Sequence, residues 1–260
     1  MMPALVAEDP LRLDAVIAWM SRLAGVAALI NALELLCMQP LFTDRGIWGA
    51  DVLASEWGVL RPMMGARVFA VLCLVQVLAA GGLMVTGTGA CAALLCGTTL
   101  LMAVRLRGNV NGGSDAMLFA VLGGLAVAGL GSGNVRVREA GVLYVAVQLT
   151  LSYVRAGLVK VREPGWWDGQ SLAGFLSLRA YGVPPWVPRQ RGLLTIVGMG
   201  VLAFELASPV AWLSPGVCAL FVVIALCFHA ATAIAFGLNR FLLAWGAAMP
   251  ALWYAAHRGA

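Results

Sequence analysis

Long apolar runs, each interrupted by glycines and closed by a short polar stretch, set the rhythm of this chain. They fall near residues 15–37, 62–85, 90–105, 115–133, 140–161, 191–213, 216–237 and 239–256. Most approach the ~20 residues with which an α-helix crosses a hydrocarbon layer of about 30 Å. The runs lack the period-2 alternation of a membrane barrel strand. A backbone inside lipid must pair its polar groups within its own segment, which a helix does. The pattern therefore predicts an all-α, polytopic transmembrane bundle of about seven to eight membrane helices, the last two readable as one broken helix. Thr86-Gly87-Thr88-Gly89 and Ser214-Pro215-Gly216 read as tight turns closing antiparallel hairpins. No internal repeat or soluble segment interrupts the pattern, so residues 1–260 read as one membrane domain.

Three connections differ from the rest by mixing charge with Gly, Asn, Pro and aromatic residues: 39–61, 106–114 and 162–189. With strict alternation they follow the first, third and fifth helices and emerge on one side, making one polar face. In the last of them, Ser171 to Tyr181 carries Leu172, Phe175, Leu176 and Leu178 in the pattern of a short interfacial helix, suited to roofing a cavity. Trp57, Trp166, Trp167 and Trp186 lie near the predicted helix ends, where indoles anchor at the headgroup level.

Composition agrees with a lipid solvent: of 260 residues 62% are hydrophobic and only 11% charged, more apolar surface than a soluble domain of this length buries. The net charge of +5 does not point to nucleic acid, because the 17 basic residues are scattered through short loops. Their excess on the polar face, with Arg45, Arg61, Arg107 and Arg162, would place that face in the cytoplasm by the positive-inside rule. The N-terminal segment, with Glu8, Asp9 and Asp14 and no basic n-region, does not read as a cleaved signal. All six cysteines lie in apolar runs without C-x-x-C spacing and read as small packing residues; no metal site is predicted.

An ionisable group within a spanning helix costs about 2.5–3.5 kcal/mol on insertion scales, so each is a functional candidate. Glu34, Arg67, Arg155, Lys160, Glu205 and His229 qualify. At about 100° per residue, Tyr144, Gln148, Ser152 and Arg155 share one face of the fifth helix, while Tyr153, Gly157 and Lys160 share the opposite one. Two polar faces predict protein on both sides, and a central position for this helix. Gly157 leaves room for a neighbour or a flat ligand. An amine held in apolar surroundings is favoured in its neutral form and can then act as a base; a snorkelling or ion-paired lysine is the alternative. His229, without a carboxylate or cysteine at ligand spacing, reads as a hydrogen-bonded helix contact before a catalyst.

Four stretches together resemble the horizontally transferred transmembrane (HTTM) family, which includes the membrane part of vitamin K-dependent γ-glutamyl carboxylase. Phe42-Thr43-Asp44-Arg45-Gly46 looks like that family's aromatic-Thr-Asp-x-Gly motif. Arg107 to Asp115 looks like its R-N-x-x-x-x-G-G-x-D loop, with altered spacing near Gly108. Tyr153 to Lys160, followed by Gly165-Trp166-Trp167-Asp168-Gly169, resembles Y-x-x-A-G-x-x-K then W-x-D/E-G, and Phe228-His229 occupies the matching late helix.

The resemblance implies that Lys160 is the base that starts oxidation of a reduced quinone of the menaquinone or vitamin K type. Asn109, Asn111, Asp115, Tyr153, Gly157, Trp166, Asp168 and His229 would then shape the substrate end. It also implies a site opening on the non-cytoplasmic side, opposite to the charge bias. Arg155 stands where the family is apolar or aromatic, and Glu34 or Glu205 is its expected partner. No histidine stands near Gly113, and the carboxylase's large luminal portion has no counterpart; both weigh against peptide carboxylation.

The expectation is a multi-pass protein of the bacterial cytoplasmic membrane, in contact with lipid. It is a quinone-dependent oxygenase or carboxylase-like enzyme, or a non-catalytic factor for maturation, export or immunity of a secreted peptide. A transporter is the third reading, with only the Ser214–Gly216 break and the Gly237 region to suggest it.

Overall fold

A computed structural model describes residues 10–43, 46, 65–106 and 113–258. Among the described residues the chain forms ten α-helices and no strand. In chain order they are α1 (Pro10–Cys37), α2 (Ala66–Thr86), α3 (Gly89–Arg105), α4 (Gly113–Leu130), α5 (Val135–Val161), α6 (Pro164–Trp167), α7 (Gln170–Leu176), α8 (Arg191–Leu206), α9 (Pro215–Phe236) and α10 (Asn239–His257). Five segments are long and apolar enough to cross a membrane: Arg12–Cys37, Ala66–Thr86, Gly113–Leu130, Val135–Val161 and Pro215–Phe236.

The helix boundaries follow local chemistry. Ser214 caps α9, its hydroxyl accepting from the Val217 N–H at 3.3 Å, and Pro215 occupies the first turn, where a missing N–H costs nothing. Gly237 ends α9 in the left-handed region (φ 69°), so the last two apolar runs are two helices. The run 191–213 is not one α-helix. It stops at Leu206 and continues as a 3-10 segment over Ser208–Trp212, because Pro209 lacks an N–H and its ring clashes with the carbonyl of Glu205.

The helices group into two units, residues 1–145 with 243–251, and residues 146–242 with 252–260. In the first, α1 packs on α2 and α4, and α3 packs on the same two helices. Small residues allow this: a Cβ added to Gly129 would lie 2.2 Å from the Gly89 Cα, so the backbones of α3 and α4 touch directly there. An apolar cluster of Leu35, Phe42, Phe69, Cys73 and Met102 closes one end, with the Phe42 and Phe69 rings stacked at 4.0 Å. Arg105 is buried against it, Nη2 donating to the Phe42 carbonyl at 3.2 Å. Arg138 forms an ion pair with Asp14.

In the second unit, α8 packs against α6, α7 and the 3-10 segment, which in turn packs on α9. Thr150 ties α5 to that segment, receiving the Trp212 Nε1–H on its hydroxyl at 2.8 Å and the Ser208 hydroxyl on its carbonyl at 3.3 Å. Ala173, Leu176 and Leu194 form a small core between α7 and α8.

The expected central burial of the fifth helix is corrected by its exposure. Tyr144 is 50% exposed and Arg155 is also exposed, while Gln148 and Ser152 between them are half-buried, so the face is only partly covered. Aromatic and amide groups on a helix can face outward at little cost where they lie near polar surroundings, and periodicity alone did not separate that case from burial.

Candidate functional site

The residues that the sequence places on one face of α5 are brought together in the second unit. Tyr153, Gly157 and Lys160 are spaced i, i+4 and i+7, close to two helical turns, so they form a single stripe. Each meets a different partner.

At the first position, the Tyr153 hydroxyl and His229 Nε2 lie 2.8 Å apart. Both residues are buried. Phe204 and Phe221 meet the Tyr153 ring edge-on at 5.1 and 5.5 Å, and Phe228 packs against Phe204 at 5.5 Å. The hydrogen bond thus sits in an aromatic cage, where competing water is scarce and the pair is worth more than on a surface. His229 is here the helix-to-helix hydrogen bond that its sequence surroundings suggested.

At the second position, Gly157 lets α5 approach α8. A Cβ there would lie 2.9 Å from Leu206 Cγ and Cδ2 and 3.2 Å from Glu205 Cβ. One turn further, that proximity brings Lys160 onto Glu205. Nζ donates to both carboxylate oxygens, at 2.5 and 2.7 Å. The Glu205 side chain is 3% exposed and that of Lys160 20%. Glu205 therefore pairs with Lys160 and not with Arg155, which points off the stripe. The partner is chosen by helix phase: residue 155 lies about 140–160° round the helix from each of residues 153, 157 and 160.

The Gly165–Gly169 stretch completes the surroundings of Nζ. The Trp166 ring lies 5.3 Å from Nζ, within cation–π range. Gly198 of α8 makes space for this turn, since a Cβ there would sit 2.8 Å from the Trp166 carbonyl oxygen. Gly169 adopts φ 74° and rests on α8, where a Cβ would lie 2.7 Å from the Thr195 nitrogen. No other residue meets both demands without strain. Asp168 is exposed, and its Oδ1 accepts from the Gln170 N–H at 3.0 Å, a turn contact at the start of α7. Trp167 donates its indole N–H to the Val161 carbonyl at 3.0 Å.

Lys160 and Trp166 stand on the wall of a cavity of about 440 Å³. Leu172, Phe175 and Leu176 of α7, Val197 and Val201 of α8, and Phe228 and Phe236 of α9 supply most of the remaining wall. The Ser171–Tyr181 segment, expected as a short helix over a cavity, forms α7 and the 3-10 turn Arg179–Tyr181, and its side chains line this one. Apart from Lys160, the lining residues that carry polar side-chain atoms are Thr232, Tyr181 and Trp166. The volume is in the range of small-molecule sites, and the mix of a greasy wall with a few polar groups is typical of them.

The chain matches no known protein family, no curated protein and no solved structure.

The other expected site residues fall elsewhere. Asn109 and Asn111 lie outside the described residues. Asp115 is buried in the first turn of α4, in the first unit. No group of three His, Cys, Asp or Glu side chains able to hold a metal occurs among the described residues. The pairing of Glu205 with Lys160 and the Phe204–Phe221 cage were not read from the sequence. The available signal was the presence of two opposite charges in apolar helices, where each needs a partner.

Proposed function

We propose that the chain is a multi-pass membrane protein of the HTTM type whose second unit binds a quinol-like lipid with Lys160 at the polar end. In this reading α3, α8 with its 3-10 extension, and α10 cross the bacterial cytoplasmic membrane beside the five longer apolar segments. The observation that carries it is a cation at the wall of an otherwise apolar cavity of about 440 Å³, on the same helical stripe as Tyr153 and Gly157. The residues fit such a ligand: aliphatic and phenyl side chains for an isoprenoid tail, the Trp166 face for a flat ring, and the Lys160 ammonium for a ring oxygen.

A bound quinol would supply the two electrons for reducing oxygen. The chain's own part is to orient the ring and move one proton. Lys160 with Glu205 can do this as a unit. With the proton they share on the carboxyl, the neutral amine would take one proton from the ligand hydroxyl, leaving an ammonium beside a still-protonated carboxyl, and that ammonium would steady the oxyanion left on the ligand. Glu205 supplies the compensating charge that allows an amine to be kept in an apolar wall.

The bidentate Lys160–Glu205 contact also favours a second reading, in which the pair only locks α5 to α8 in a non-catalytic factor for a secreted peptide. Incubating the purified protein with reduced menaquinone and oxygen, and detecting quinone epoxide by mass spectrometry, separates the two. Epoxide from the wild type and none from Lys160→Ala supports the oxygenase. Folded, quinone-binding wild type that makes no epoxide refutes it and leaves the factor.

A further inference from the structure

The Lys160–Glu205 pair has a consequence for ligand choice that holds whether or not the site is catalytic. We infer that Glu205 makes the cavity select apolar molecules with a neutral, oxygen-bearing head group and reject those with an anionic one. The inference rests on the reading of the cavity as a ligand site, and it does not require the ligand to be a quinone.

An unpaired lysine at the end of an apolar cavity would attract fatty-acid-like anions. This lysine is already neutralised. Nζ holds both Glu205 oxygens at 2.5 and 2.7 Å, and the carboxylate lies behind it, 3% exposed and away from water that could screen it. An ammonium has three N–H donors, so a direction remains for a ligand oxygen, and Lys160 is part of the cavity wall. The tetrahedral arrangement about Nζ puts such an oxygen roughly 4–5 Å from the Glu205 oxygens when both sit at hydrogen-bond distance.

At that separation two negative charges repel with roughly 60% of the strength with which the ammonium, at about 2.8 Å, attracts the ligand oxygen, so less than half of that attraction is left to offset lost hydration. The rest of the wall offers no second cation: among the described residues lining it, Lys160 is the one charged side chain. An anionic head would therefore leave one net negative charge in an apolar enclosure, and it would also lose its hydration there. A ketone, quinone, ester or alcohol oxygen accepts the remaining N–H without adding charge. Thr232, whose hydroxyl donates to the His229 carbonyl at 2.9 Å, keeps oxygen lone pairs on the same wall that can accept from an alcohol or quinol O–H.

The test uses the full chain in phosphatidylcholine nanodiscs and two photoreactive diazirine probes with the same tail, oleyl alcohol and oleyl sulfate. The sulfate stays anionic at every pH used. Labelling is mapped by mass spectrometry to the cavity segments around Val201 and Phe228. Wild type is expected to be labelled by the alcohol at least about tenfold more efficiently than by the sulfate. Glu205→Gln, which keeps the shape and removes the compensating charge, should raise sulfate labelling about 10- to 100-fold relative to alcohol labelling of the same variant. The exchanged pair, Lys160→Glu with Glu205→Lys, restores neutrality and should restore the preference for the alcohol. It also guards against a folding defect in the single variant.

Equal labelling of wild type by both probes overturns the inference. So does a monodisperse Glu205→Gln protein with no gain for the sulfate, or failure of both probes to reach the cavity. A naphthoquinone with an isoprenoid tail that does not compete with the alcohol probe would sink the quinone assignment while leaving charge selection by Glu205 standing.

Discussion

Gly157 is the point at which a single methyl decides whether α5 can reach α8, and its substitution tests the site's construction directly. An alanine Cβ would lie 2.9 Å from Leu206 Cγ and Cδ2 and 3.2 Å from Glu205 Cβ. Leu206 is 37% exposed, so its side chain can turn away; Glu205 Cβ is tied to the backbone and must yield by a few tenths of an ångström. Overpacking of that degree costs about 1 kcal/mol, at the low end of the usual range. Alanine gains about 1 kcal/mol over glycine in a helix interior, so Gly157→Ala should be close to neutral. Gly157→Leu brings a branched chain that has nowhere to go. The helices must part, the 2.5 and 2.7 Å contacts of Lys160 stretch beyond hydrogen-bond range, and a nearly buried carboxylate loses its partner. Overpacking of about 1–3 kcal/mol combines with part of the ~3–5 kcal/mol for breaking a buried pair, reduced because Lys160 is partly exposed, giving about 3–5 kcal/mol in all. Unfolding by rising detergent denaturant in mixed micelles, followed by circular dichroism, reads these values. In a Lys160→Met/Glu205→Leu background Gly157→Leu should cost clearly less, since the pair is already gone. If Gly157→Leu is as stable as wild type, or costs the same in both backgrounds, Gly157 does not set the Lys160–Glu205 contact.

Tyr153→Phe removes the hydroxyl 2.8 Å from His229 Nε2 and should destabilise the second unit by about 0.5–2 kcal/mol; combined with His229→Leu the loss should be less than additive in thermal unfolding, and strict additivity would mean that the hydrogen bond contributes nothing. Gly169→Ala forces a side chain into φ 74° and against the Thr195 nitrogen, at a cost of about 1–3 kcal/mol. Limited proteolysis should then cut the 162–190 stretch faster while α5 and α8 stay protected, and an unchanged cutting rate would contradict the account of Gly169.

The helices were legible in the sequence because lipid-compatible runs are long and their ends are marked by residues with one local role. Ser214 with Pro215 and the glycine at 237 set boundaries that the structure keeps to within a residue or two. Where the reading failed, two local preferences competed. The run ending at Leu213 is apolar throughout, but Pro209 withdraws an N–H and turns its last part into a 3-10 segment. Tyr144 and Arg155 share a phase with Gln148, and a phase shows which residues lie together without showing whether protein covers them.

The candidate site divides along the same line. Residues at i, i+4 and i+7 necessarily form a stripe, so Tyr153, Gly157 and Lys160 could be grouped from the chain alone. The identity of what faces them could not, because partner choice depends on which helix a glycine admits. Glu205 lies 45 residues from Lys160, and nothing local distinguishes it from Glu34 as a countercharge. Contact at Gly157 with Leu206 and Glu205 removes the ambiguity: once α8 is the helix in touch, an acidic residue within one turn of that contact is the one that Lys160 can reach. The glycine thus determines the charge of the cavity wall. A chain with the same lysine, but with a bulkier residue at 157, would present a bare cation to the cavity and would be expected to favour the opposite class of ligand.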